Sequence, residues 1–137
     1  MFRRQCYEAV GGYVPIKEGG VDFVAVTTAR MKGWMTRTFT EKTCLHHRKM
    51  GTGNTDSLMR FFRHGTRDYS FGNHPLWEVF RVLYQMSRKP YFVRGVLLFL
   101  GYMEAWLRKA DKRVSRELVE FIRAEQMERL QRKLLRL

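Results

Sequence analysis

Between Pro75 and Leu107 the chain sets two apolar segments end to end, separated by little more than Lys89-Pro90. No other feature restricts the fold as strongly. Pro75 suits the first position of a helix running to about Ser87, with Asn73 or His74 as its cap. Leu76, Trp77, Val79, Phe80, Val82, Leu83, Tyr84 and Met86 make that helix apolar nearly all round. It must therefore be buried or lipid-facing. Tyr91–Leu107 (YFVRGVLLFLGYMEAWL) is the most hydrophobic run. A bilayer span needs roughly 20 apolar residues. This run is shorter, carries Arg94 and Glu104, and is uninterrupted only over Gly95–Met103. An interfacial or re-entrant helix fits it better, with Arg88, Lys89, Arg108, Lys109, Lys112 and Arg113 as basic flanks and Tyr91, Tyr102 and Trp106 near its ends. Tyr91, Arg94, Trp106, Arg108 and Lys109 are the membrane-surface candidates. A buried core helix fits equally well.

The rest of the composition narrows the choice of partner. With 137 residues, 45% of them hydrophobic, the chain supports one modest core. Lys and Arg number 26 against 13 Asp and Glu, a formal charge of +13 that calls for an anionic partner. Nucleic acid is the weakest of the choices. The sequence has no RNP motif, KH-type loop, zinc finger or bZIP pattern, and nucleic acid gives the apolar helices nowhere to go. Cys6 and Cys44 are too few for a disulfide scaffold and are expected to be reduced and buried. Met1–Val10 carries charge throughout, unlike a signal peptide.

Elsewhere the pattern predicts a short helix over Phe2–Val10 ended by Gly11-Gly12, and a second from Val21 or Asp22 to about Lys32. Trp34–Thr40 alternates as a strand would, and Thr43–His47 suits a second. Ser57–Gly65 reads as a helix and Thr66–Asn73 as a loop. Ser115 is a good cap for a final helix, Arg116–Leu137, whose apolar stripe is Met127, Leu130, Leu134 and Leu137.

Two places invite chemistry. Asp22 begins a helix after a glycine-bearing loop, where a carboxylate serves either as a general base beside a pocket or as an acid favoured by the helix dipole. His46-His47-Arg48-Lys49 forms the second. Adjacent strand residues face opposite ways, so one imidazole at most meets a given site, with Arg48 or Lys49 binding phosphate oxygens. No HExxH or Cys/His ligand spacing accompanies the pair, and a solvated basic strand end is the plainer reading.

FRRQCYEAVGGY, GGVDFVAVTTARMKGW and CLHHRKMGT, in this order, resemble the C-terminal half of the GT-A catalytic domain of family 2 glycosyltransferases. The resemblance covers residues 1–52. It implies that Asp22 holds the catalytic-base position and His46 or His47 the histidine completing a metal or diphosphate site. Val21 stands where the family usually has Glu, and there is no Asp-x-Asp and no nucleotide-binding half.

The expected fold is therefore α+β and mostly helical, with two or three strands of a GT-A type sheet within residues 1–52 and a helical region over 53–137. The resemblance implies an acceptor-side portion of an inverting transferase, inactive alone. Given a complementary N-terminal half, it would use a nucleotide sugar, Mn or Mg, and a glycan or lipid-linked acceptor. No cofactor is expected for the chain by itself. The alternative is a non-enzymatic basic module on an anionic membrane surface. Either would sit at the cytoplasmic membrane face, and association of two copies through sheet edges or apolar helices is open to both.

Overall fold

A computed structural model describes residues 2–16, 19–38, 41, 43, 58–89 and 91–135. Every regular element among them is a helix, and they fall into two compact units, Met1–Ser57 and Leu58–Leu137.

The first unit holds α1 (Arg4–Val10) and α2 (Val21–Met31). Helix α1 stops where expected. Gly11 takes φ 84°, its N–H donates to Glu8 O at 3.2 Å, and the Gly12 N–H reaches back to Tyr7 O at 3.1 Å, a Schellman closure. Helix α2 buries Val24, Ala25, Thr27 and Ala29 and closes the same way at Gly33. The Lys32 ammonium donates to Ala9 O, tying the end of α2 to α1. Phe2, Tyr7 and Tyr13 add edge-to-face ring contacts at 5.6–5.9 Å.

The expected sheet is a correction. Residues 34–38 form no strand, and Met35 is 99% exposed. Alternation is not enough: a strand must pair its N–H and C=O groups, and no partner strand exists among the described residues. Residues 39–40 and 44–47, the remainder of the expected strands, lie outside the described residues. The α+β class and the GT-A resemblance both fall on this result.

The second unit comprises α3 (Met59–Ser70), α4 (Pro75–Met86), α5 (Val93–Leu107) and α6 (Arg116–Leu134). Helix α5 is its centre, packed most extensively on α3 and next on α4. Arg94 lies over the Phe61 ring, and Tyr102 meets Tyr69 edge to face at 5.5 Å, so α3 and α5 run in the same direction. Gly95 abuts Val82 and Met86, while the Tyr102 hydroxyl donates to Asn73 O at 3.2 Å, so α4 runs opposite to α5. Leu98 and Ala105 are each 1% exposed and form the middle of the core.

Glycine sets how closely α3 and α5 approach. A Cβ at Gly65 would overlap Leu98 O and stand 2.7 Å from Tyr102 N, and one at Gly101 would overlap Phe62 O. The expectation that α3 ends at Gly65 is corrected for this reason: Gly65 is a packing glycine inside the helix. The helix terminates at Gly72 (φ 75°), where Gly72 N–H meets Tyr69 O at 2.8 Å and Asn73 N–H meets Asp68 O at 3.1 Å.

Two caps occur as read. His74 Nδ1 accepts from Leu76 N–H at 3.2 Å, and Ser115 Oγ accepts from Leu118 N–H at 3.3 Å. The face α6 buries is not the one that carries its apolar stripe. Leu118, Val119, Ile122 and Gln126 are buried, whereas Leu134 is 61% exposed.

Candidate functional site

The outer side of α5 is its most unusual surface. At 100° per residue, Trp106, Phe99, Met103, Val96, Leu107, Leu100 and Val93 follow one another around a continuous apolar arc of about 140°. All but Met103 are exposed, and Met103 is partly so. The opposite side, Gly95, Leu98, Gly101, Tyr102 and Ala105, is buried. The helix is thus apolar on two faces, only one of which its own unit covers. Helix α4 also exposes Leu76, Val79 and Leu83. The turn between α4 and α5 adds Tyr91 (55% exposed) and Phe92 (68% exposed).

Phe92 takes φ 64°, ψ −44° as the residue that opens α5. A bulky side chain is disfavoured there, so the backbone is strained at the point that projects this ring. Exposed Arg88 and Lys89 stand at this end of α5, and exposed Arg108 and Lys109 at the other. Arg108 Nε also pairs with Glu104 Oε1 at 2.7 Å.

Beneath α4 lies a polar centre. Asp68 of α3 and Glu78 of α4 are 5% and 2% exposed and share one cation, Arg81. The Arg81 guanidinium donates to Asp68 Oδ2 and stands 3.7 Å from Glu78 Oε2. Neither Glu78 oxygen makes a well-formed hydrogen bond, although the Asn73 side chain acts on the carboxyl as a donor. Burial, then the Asp68 charge, pushes the Glu78 carboxyl up to about 7 against the pull of Arg81. Burial also raises Asp68, opposed by Arg81 and Arg67. Tyr102 is pushed up to about 12, by burial first and then by Glu78. On the same turn of α3, His64 Nδ1 lies 2.7 Å from Arg67 Nη2. Desolvation, followed by Arg67, Arg81 and Arg60, lowers this imidazole to about 4.

The α3–α4 turn is held by side chains from far along the chain. Gln126 Oε1 accepts from His74 N–H and its Nε2 donates to Asn73 Oδ1, both at 2.8 Å, while Arg123 Nε donates to Gly72 O at 2.9 Å. Lys112 Nζ reaches Tyr69 O at 2.8 Å, its pKa lowered by desolvation and by Arg123.

The residues singled out from the sequence for chemistry are described only in part. Asp22 is an exposed acid in the first turn of α2, behind Gly20 in the left-handed conformation. His46, His47, Arg48 and Lys49 lie outside the described residues. Among the described residues no group of three or more His, Cys, Asp or Glu side chains could hold a metal ion. No helix among them is long and apolar enough to cross a membrane. Of the membrane-surface set, Tyr91, Trp106, Arg108 and Lys109 are exposed. Arg94 is not free at the surface: its guanidinium covers Phe61 and its Nε is buried.

Sequence reasoning missed Asp68, Glu78 and Arg81. The signal was available, since Glu78 and Arg81 are the two charged residues in the otherwise apolar PLWEVFRVLYQM helix, three apart and hence on one face. Compared with protein families, curated proteins and solved structures, the chain matches none.

Proposed function

We propose that this chain is a non-enzymatic module that docks on an anionic membrane surface through the outer arc of α5 and the α4–α5 turn. The observation that carries the reading is the apolar arc of a helix with basic residues at both of its ends. Fifteen residues at 1.5 Å each make α5 about 22 Å long, short of the ~30 Å hydrocarbon core. A helix lying in the interface plane instead keeps both ends at headgroup level, so Arg88, Lys89, Arg108 and Lys109 all reach lipid phosphates. Each basic residue near such a surface contributes about 1 kcal/mol. Burial of the arc supplies an apolar term that salt does not screen. The cytoplasmic leaflet, rich in anionic lipid, is the surface this charge suits.

The test is co-sedimentation of the purified chain with vesicles of phosphatidylcholine alone and of phosphatidylcholine with phosphatidylserine. Binding to the anionic vesicles, weakening with salt, is expected. Loss of one apolar anchor in Phe99→Ser should weaken it roughly tenfold or more, at about 1.5–3 kcal/mol per fully buried side chain. A chain that ignores anionic vesicles at low salt, or binds them equally well with Phe99→Ser, Leu100→Ser and Phe92→Ser combined, removes the proposal.

A further inference from the structure

We infer that Asp68, Glu78 and Arg81 form a proton-operated latch between α3 and α4, closed when the carboxylate pair holds one proton and loosened when it holds none. The inference is independent of membrane docking and rests on charge count and placement. Two carboxylates from two helices share one guanidinium, and the better-placed of them, Asp68, takes its hydrogen bond. Glu78 is left 2% exposed, with no well-formed hydrogen bond to either oxygen and the cation 3.7 Å away. Fully ionised, these three side chains carry one net negative charge out of water, which is unfavourable. One proton cancels it.

The neighbouring groups compensate the second negative charge only in part. From α3, Arg67 acts on Asp68 less strongly than Arg81 does and lies beside His64, which desolvation and then its arginine neighbours keep neutral. The turn contributes Asn73, whose Oδ1 accepts from Gln126 and whose side chain also acts on Glu78 as a hydrogen-bond donor, a neutral contact that leaves the charge count unchanged. From α5 comes Tyr102, whose phenol is kept protonated and donates to Asn73 O. From α6, Arg123 donates to Gly72 O and acts on Tyr102. The upward displacement of Glu78 to about 7 agrees with this accounting.

The sign follows from linkage. The folded carboxyl binds its proton more tightly than the unfolded one, whose ordinary value is 4.5, so stability falls as pH rises from there through about 7. Helix α4 carries Glu78 and Arg81, so it loosens from α3 as the proton leaves.

The experiment is urea denaturation of the full chain from pH 5 to 8.5, for the wild type and Glu78→Gln. For the wild type the folding equilibrium constant should fall as pH rises above about 6.5, by up to about tenfold per unit, the limit for one proton, while at lower pH the opposite titration of His64 offsets it. Glu78→Gln should remove most of that slope and be more stable than wild type at pH 8. A variant that keeps the wild-type slope overturns the latch. Should Glu78→Gln fail to fold, carboxyl ¹³C NMR of the wild-type chain decides. A Glu78 midpoint near neutrality supports the latch, and one at the ordinary glutamate value overturns it.

Discussion

Gly65 and Gly101 lie on opposite sides of one helix contact, each meeting a backbone carbonyl of the other helix, Leu98 O and Phe62 O respectively. Nothing in that contact is a flexible side chain that could give way.

Alanine at either position must therefore separate α3 from α5. Gly65→Ala and Gly101→Ala should each cost about 3 kcal/mol or more despite alanine's better helix propensity, because overpacking against rigid backbone outweighs it. Thermal denaturation checks this, with the exposed Arg132→Ala as a near-neutral control. A stabilised Gly65→Ala would show that the helices do not touch there.

Gln126 joins α6 to the α3–α4 turn by one accepted and one donated hydrogen bond. Gln126→Leu strands the His74 N–H and the Asn73 Oδ1 together, and about 2 kcal/mol should be lost. Hydrogen exchange locates the effect: amides of Leu118–Gln126 should lose protection before those of α5. Uniform loss across both helices would mean that α6 does not open by itself.

His64 titrates in the opposite sense to Glu78. Its folded value, about 4, lies below the ordinary 6.5, so the unfolded chain takes up the proton first. Stability should fall as pH drops from about 6.5 towards 4, masked in the wild type by the gain at Glu78. In the Glu78→Gln background the acid-side loss should stand alone, and adding His64→Gln should flatten it. An unchanged acid limb would place its origin elsewhere.

The helical punctuation was legible, and for physical reasons. Gly11 and Gly33, Pro75, and the caps at His74 and Ser115 act within a few residues of themselves, so sequence spacing reveals them. Tertiary context defeated the rest. Gly65 is identical in sequence terms to a helix-ending glycine, and only its neighbour across the contact makes it a packing residue. Lys109 ends α5 at φ 50° with the same pair of closing bonds that Gly72 provides for α3, and no residue preference announces it. The alternation of Trp34–Thr38 has no partner strand among the described residues. Asp22 drew attention by position alone, while the buried Asp68 and Glu78 are brought together only when α3 folds against α4.

Phe92 puts two selective pressures at odds. Its backbone conformation is one glycine adopts freely, so a population of variants screened for heat resistance alone should drift towards Phe92→Gly, relieving the strain at the start of α5. A population screened for adhesion to lipid should keep the ring. The residue that wins at this one position therefore records which property has been under selection.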